Sequence, residues 1–249
     1  MLIESKRHTE ADLRLWHNLE IADRLNGLRP AIVRLRDRSL HALREFAEVG
    51  TCYASVSHGK DSTVLWHLVW LSGLDIPVWN LRISPTHNPH CDDVRDVLLD
   101  CFPLTYHEEL VDYGTIDPDL PLIDWERETY RLWDAAWRRV CKQAGTNRHI
   151  SGVRGDESGT RMIRMLRWGM NSPNTCAPLG WWKIHDVFGY MAVNDLPVHP
   201  NYAMLGGGIW DRNQIRTAEI GDEKGSQRGR RVWEYQYYQD VFDSSGMRK

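Results

Sequence analysis

Apolar positions along the chain switch repeatedly between a helical period and short β-rich runs. In 29–50, Ile32, Val33, Leu35, Leu40, Leu43 and Phe46 follow helical spacing, with Pro30 near the start and Gly50 at the end, so a helix is predicted there. A preceding helix is predicted over 10–25. The run "TCYASVS" reads as a strand, and "STVLWHLVWLS" as a helix with Val64, Leu65, Leu68 and Leu71 on one face, closed by Gly73. "IPVWNLRIS" is a second strand. "CDDVRDVLLDC" is a helix whose opening acids Asp92 and Asp93 suit the helix dipole. "FPLTYHEE" predicts a third strand, "LIDWERETYRLWDAAWRRVCKQAG" a long helix, "RHISGV" a further strand and "DESGTRMIRMLRWG" a further helix. Alternation of this kind predicts an α/β fold: a mainly parallel, twisted sheet with helices on both faces. From about Asn171 the texture changes to Gly, Pro and Trp punctuation, with one clear helix, "KIHDVFGYMAVN". The expected organisation is one structural domain: N-terminal helices over 1–50, an α/β core over 51–170 and an irregular C-terminal extension over 171–249.

Composition bounds the function classes. The 249 residues are 42% apolar and 26% charged, enough for a sizeable core. The net charge of −3 gives no overall pull towards nucleic acid or anionic membrane. The 12 tryptophans read mostly as core or pocket wall. The first twenty residues are charged throughout, and no run is long enough to cross a bilayer, so a cytoplasmic protein without a membrane partner is expected. Five scattered cysteines without a C-x-x-C argue against a disulfide framework, structural zinc or an iron–sulfur cluster.

Candidate chemistry sits in the turn "SHGKDS", Ser57 to Ser62, between the first strand and its helix. Parallel sheets bind ligands beyond the carboxyl ends of their strands. Gly59 lets backbone approach a ligand, the helix N–H groups point there, Lys60 adds charge, and Ser57 and Ser62 add hydroxyls. This is not a Walker A loop: position 54 is Ala, and Asp61 separates Lys60 from Ser62. An acid beside the lysine suits a loop that also manages magnesium or a water. An ordinary strand–helix turn with an exposed lysine is the competing reading.

The turn resembles the S-x-G-K-D-S pyrophosphate (PP) loop of the adenine nucleotide α-hydrolase-like superfamily. That group includes PAPS (phosphoadenosine phosphosulfate) reductases, ATP sulfurylase small subunits and other ATP pyrophosphatases. His58 falls at the variable position, in a residue type that tolerates unusual backbone angles. "GVRGDESGTR" fits the PAPS reductase-type G-x-R-x-x-E-S-x-x-R through Gly152, Arg154, Glu157, Ser158 and Arg161. Arg154 and Arg161 can clamp phosphate or sulfate oxygens, and Glu157 is read as orienting an arginine. A surface ion-pair cluster is the competing reading. A third segment, Pro178 to Tyr202, matches through Pro178, Leu179, Trp182, Asp186, Val187, Tyr190, Leu196, Pro197, His199, Pro200 and Tyr202. Here Asp186 is read as a hydrogen bonder at the helix, and His199 as a structural or pocket residue.

The resemblance implies nucleotide contacts from Ser55, Ser57, His58, Gly59, Lys60, Asp61, Ser62, Arg82, Gly152, Arg154, Glu157 and Arg161, with Lys60, Asp61, Arg154 and Arg161 carrying the chemistry. It implies ATP with Mg2+, or PAPS or APS, as ligand. It also implies a C-terminal segment folded over the site, and a homodimer, since dimers are common among the relatives. Two departures stand out. The reductases' C-terminal cysteine is missing, because Cys176 is the last, and the usual Asp-Thr-Gly after the second strand is replaced by "THNPHCDD". That cluster of His87, His90, Cys91, Asp92 and Asp93 reads either as a metal site or as a capped helix start near the adenine pocket. Arg212 and Arg216 are candidates to close on phosphates. "KGSQRGRR" is either an arm for a nucleic-acid or protein partner or a solvated tail.

The expected function is therefore ATP cleavage between the α and β phosphates. The setting could be that of an accessory protein of a phage or type IV CRISPR system. A non-catalytic nucleotide- or PAPS-binding module is the alternative, and thiol-dependent PAPS reduction comes third.

Overall fold

The strand β1 (Tyr53–Val56) is the centre of the molecule. It is flanked in parallel by β2 (Val78–Ser84) and β4 (His149–Ser151), with Ala54 opposite both Val78 and Ile150. Outside these lie β3 (Tyr106–Asp112) and β5 (Thr175–Cys176), giving the all-parallel order β3-β2-β1-β4-β5. A computed structural model of the chain describes residues 1–217, 219–220 and 230–245, and the side chains of Arg230 and of 242–245 are not described.

Side chains alternate across this sheet as strand geometry requires. Ala54, Val56, Val78 and Ile150 face the main core, which also holds α2 (Pro30–Glu48), α3 (Lys60–Ser72), α4 (His90–Cys101) and α7 (Ile184–Val193). Tyr53 and Trp79 face the other way and pack on Val140 of α5 (Leu122–Ala144). Both faces are covered, as the alternation of elements predicts. The helix α3 is apolar almost all round because sheet, α2 and α7 surround it; Val64, Leu65, Trp66, Leu68 and Val69 are fully buried. Leu71, grouped with that face in the sequence, is 39% exposed.

The first helix, α1 (Glu10–Gly27), starts at a capping box between Thr9 and Asp12 and packs across α7. Gly27 and Gly189 make that approach possible: a β-carbon on Gly27 would lie 2.2 Å from the Gly189 carbonyl oxygen. Helix α7 is opened by Asp186, which is buried. Its Oδ2 accepts the Lys183 N–H at 2.9 Å and its Oδ1 accepts from Arg29 Nη2 at 3.2 Å. Asp186→Ala leaves that N–H and the arginine without their acceptor. A loss of about 2 kcal/mol in urea unfolding is expected.

After Asn171 the sequence showed one helix, and the structure adds two elements. One is the short β5. The other is α8 (Arg230–Ser245), which departs from helical geometry at Tyr238. Helix α6 (Gly159–Trp168) begins later than the sequence indicated, because Gly155–Glu157 form a separate 3-10 turn.

Candidate functional site

Two loops meet at the carboxyl ends of β1 and β4. In the first, the Ser57 N–H donates to Ser62 Oγ at 2.9 Å, and the two hydroxyl oxygens lie 3.2 Å apart, which closes the turn on itself. His58 takes a left-handed φ of 57°, a conformation His tolerates better than most residues. Gly59 then caps α3 with its backbone alone. A β-carbon there would lie 3.0 Å from Thr217 Oγ1 and 3.2 Å from the Tyr202 hydroxyl, so a larger residue would have to push these hydroxyls back by a few tenths of an ångström. The Lys60 N–H donates to the Tyr202 hydroxyl at 3.2 Å. The N–H groups of Asp61 and Ser62 belong to the first turn of α3, which has no intrahelical acceptors for them.

Lys60 is buried, and its Nζ donates to Asp61 Oδ2 at 2.8 Å. Burial favours the neutral amine, but the Tyr202 and Asp61 oxygens outweigh it and hold the ammonium above its ordinary value. From the second loop, Arg154 Nε reaches Asp61 Oδ1 at 2.7 Å, an ion pair without the alignment of a hydrogen bond. Asp61 therefore sits between two cations. Gly152 fits because a β-carbon there would lie 3.1 Å from the Asp61 carbonyl oxygen.

Arg154 is buried and ringed by acids. Its Nη1 donates to Asp156 Oδ1 at 2.6 Å, and Nη2 lies 3.9 Å from Glu157 Oε1. Glu157 Oε2 accepts the Arg154 N–H at 2.9 Å and also bonds Arg161. Glu157 thus holds both arginines. Asp156 Oδ2 accepts the Ile184 N–H at 3.1 Å, tying the loop to the start of α7.

Beyond the β1 and β2 ends lies a hollow lined by Ser57, His58, Asn80, Ile83, His87 and Cys91, among others. His58 Nδ1 is buried there without a hydrogen-bond partner. Burial pushes its ring down to about 4, so it is neutral near pH 7.

The remaining predicted residues are placed differently. Ser55 lies within β1 beside Trp79 and Ser151 in the ladder. Arg82 is engaged by acids: Nη1 and Nη2 donate to Asp92 at 2.6 and 3.0 Å, and Glu108 lies 3.7 Å away. Arg212 turns away from the loop and holds Asp23 of α1 at 2.5 and 2.7 Å, over the Phe188 ring at 4.0 Å. Arg216 is exposed, one residue before Thr217. In "THNPHCDD", His87 meets Asp92 at 3.2 Å, His90 meets Asp93 at 2.8 Å, and Cys91 Sγ lies 3.6 Å from His199 Nε2. Among the described residues, no group of His, Cys, Asp and Glu is arranged to hold a metal ion. Most of "KGSQRGRR", Arg228 included, lies outside the described residues.

Sequence reasoning missed Thr217. Residues around it pack on the loop after β2: Asn88 Nδ2 donates to the Thr217 carbonyl at 2.8 Å, and the Ile220 N–H donates to the Thr86 carbonyl at 2.8 Å. Nothing in the local sequence marks this threonine.

Residues 51–205 match the model of the phosphoadenosine phosphosulfate reductase domain. The chain belongs to this family. The family lies in the PP-loop adenine nucleotide α-hydrolase superfamily, and Ser57–Ser62 is the turn whose sequence resembles that loop. Similar solved structures include the PAPS reductase from Candida auris in a phosphate complex, with TM-score 0.46 and 16% identity, covering 69% of this chain and 90% of that one. NMN synthetase from Francisella tularensis gives TM-score 0.49 and 14% identity over 67% of this chain and 71% of that one. FMN adenylyltransferase from Candida glabrata with ATP gives 0.47 and 13% over 80% and 70%. No curated protein matches the chain in sequence. No described helix is long and apolar enough to cross a membrane.

Proposed function

We propose that this PP-loop protein binds ATP with magnesium and cleaves it between the α and β phosphates, releasing pyrophosphate. The observation that supports this most is the Lys60–Asp61–Arg154 chain, which joins the loops after β1 and β4 into one cationic cradle. A pyrophosphate group in Ser57–Ser62 would take the N–H groups of Asp61 and Ser62, the Lys60 ammonium and the positive end of α3. Arg154, fixed by Asp156 and Glu157, holds its charge where negative charge grows on the leaving phosphates. Arg161 stands at the open side of the cradle. The hollow beside the neutral His58, about 20 Å3, would have to widen to take the nucleoside.

Asp61 is the residue that would hold magnesium, since its buried Oδ1 lacks an aligned hydrogen-bond donor. An ion bound there would neutralise phosphate oxygens. A thiol mechanism finds no support, since burial pushes Cys91 up to about 12 and Cys176 higher still, and no cysteine follows Cys176. That loss is also what suggests an accessory role in a phage or type IV CRISPR system. Five free thiols accord with the cytoplasm. The exposed Ile163 and Leu166, three apart on α6, are the face a homodimer would cover.

The test is pyrophosphate release from ATP and magnesium, with calorimetric ATP binding alongside. Lys60→Ala is expected to lower release at least a hundredfold. ATP binding without release, weakened by Lys60→Ala, would mean a nucleotide-binding module that lacks its acceptor or its chemistry. Neither release nor ATP binding, with PAPS bound instead, would overturn the ATP reading.

A further inference from the structure

A second cationic site lies away from the PP loop. A cavity of about 360 Å3 opens between the first turns of α2 and α7. Arg29, Arg34 and Arg38 line it from α2 and its N-cap, and Lys183, His185 and Asp186 line it from the start of α7. Arg34 and Arg38 are four apart, so they project from one face of α2. Asp186 is the one carboxylate in the wall, and it is engaged by Arg29, by the Lys183 N–H and by His185 at 3.4 Å. The side chains of Arg34, Arg38 and Lys183 have no hydrogen-bond or ion-pair partner among the described residues.

The fold leaves part of this positive charge without a counter-ion among the described residues. Helix α2 has no side-chain cap and no acid in its first turn, and Arg29 stands at its N-cap. Asp186 offsets Arg29 at the positive end of the helix dipole, whereas Arg34 and Arg38, further along the same helix, have no such anion among the described residues. The excess is not compositional either, because the whole chain carries −3. Arg29, Arg34 and Arg38 also lie outside the segment, 51–205, that matches the family.

We propose that this cavity is a second anion site, which takes a small phosphorylated or sulfated molecule through two or more of its anionic oxygens. Its volume falls within the range of small-molecule sites, roughly 300–1,000 Å3. The cations surround one hollow and do not run along a stripe, which fits a compact anion better than a nucleic-acid backbone. Two guanidinium groups on one face of α2 suit forked contacts to such oxygens, and Lys183 closes the opposite wall. None of these residues belongs to the PP loop or to Gly152–Arg161, so the site stands independently of the ATP reading.

Calorimetric titration of inorganic pyrophosphate separates the two sites. The wild type is expected to bind two equivalents, and the Lys60→Ala protein one. Adding Arg34→Gln and Arg38→Gln to Lys60→Ala is expected to weaken the remaining site at least tenfold. The same pair in the wild-type background is expected to leave only the PP-loop site. Both arginines are exposed, so the far-UV spectrum and the ligand-free melting temperature should stay unchanged. Pyrophosphate binding that ignores the arginine pair, or that disappears entirely with Lys60→Ala, would overturn the proposal. So would a single-stranded oligonucleotide that binds through Arg34 and Arg38 where pyrophosphate does not, since that would make the cavity part of a nucleic-acid surface.

Discussion

Arg154→Ala is expected to remove nucleotide binding and to cost about 2–3 kcal/mol of stability in urea unfolding. The guanidinium is buried and faces Asp61, Asp156 and Glu157. Removing it leaves three carboxylates converging on an empty volume. Breaking a fully buried pair typically costs about 3–5 kcal/mol. The acids here keep some contact with water, which lowers the expected figure. Asp61 would lose one of its two cations, and Lys60 would swing with it. Arg154→Lys should recover little, because one ammonium cannot reach Asp61, Asp156 and Glu157 together. Arg161→Ala is the contrast: its described partner is Glu157 on the exposed side, so stability should fall by no more than about 0.5 kcal/mol while nucleotide affinity still drops. Equal stability losses in the two variants would show that Arg154 does not organise the two loops.

Much of this arrangement was legible because it is local. The helix over 29–50 follows its apolar spacing and its Pro30 and Gly50 signals, and it appears as Pro30–Glu48. Lys60 and Asp61 stand on the strand–helix turn that the change of period located. Glu157 beside Arg154 and Arg161 is a matter of three- and four-residue spacing. What the sequence could not show depends on distant partners. Arg212 belongs to Asp23, 189 positions away, and a count of basic residues in the tail carries no information about that contact. Arg82 is absorbed by Asp92 in the first turn of α4 and by Glu108, which the β2–β3 pairing brings within reach. β5 has two residues and exists because β4 offers an open edge. In α8 the buried apolar positions are aromatic, Trp233, Tyr237 and Tyr238, and the break at Tyr238 interrupts the period that would have marked a helix. Thr217 reaches the PP loop by chain tracing alone.

The second large effect concerns acid. Stability is expected to fall by at least about 4 kcal/mol between pH 7 and pH 5, well above the range where carboxylates protonate. Three histidines are buried neutral. Burial lowers His58 and His67 to about 4, and lowers His199 well below its ordinary value. Their surroundings agree with the neutral form. His199 Nδ1 accepts the Asn201 N–H at 3.2 Å, so a second proton there would displace a backbone bond. His67 Nδ1 meets the Tyr190 hydroxyl at 2.9 Å inside the core. His58 faces Tyr106 and, at longer range, Glu108, Asp92, Arg95 and His87; the two acids favour its charged form, but burial outweighs them. In the unfolded chain all three titrate near 6.5, so below that pH the unfolded state binds more protons and is favoured. His58 and His67 therefore each contribute stability above pH 6.5 that is lost progressively as pH falls towards 4, about 2 kcal/mol of it by pH 5, and His199 acts in the same direction. Asp92 and Glu108 are held below their ordinary values despite burial, by hydrogen bonds and nearby cations. Their contribution is lost only below about pH 4, which leaves the window above it to the histidines. His58→Asn keeps a residue that accepts the left-handed backbone and removes one titrating ring. Urea unfolding of that variant at the two pH values should show a difference smaller by about 2 kcal/mol. An unchanged difference would mean that His58 is already solvated in the ligand-free protein, and that the hollow beside the PP loop is open to water before any nucleotide arrives.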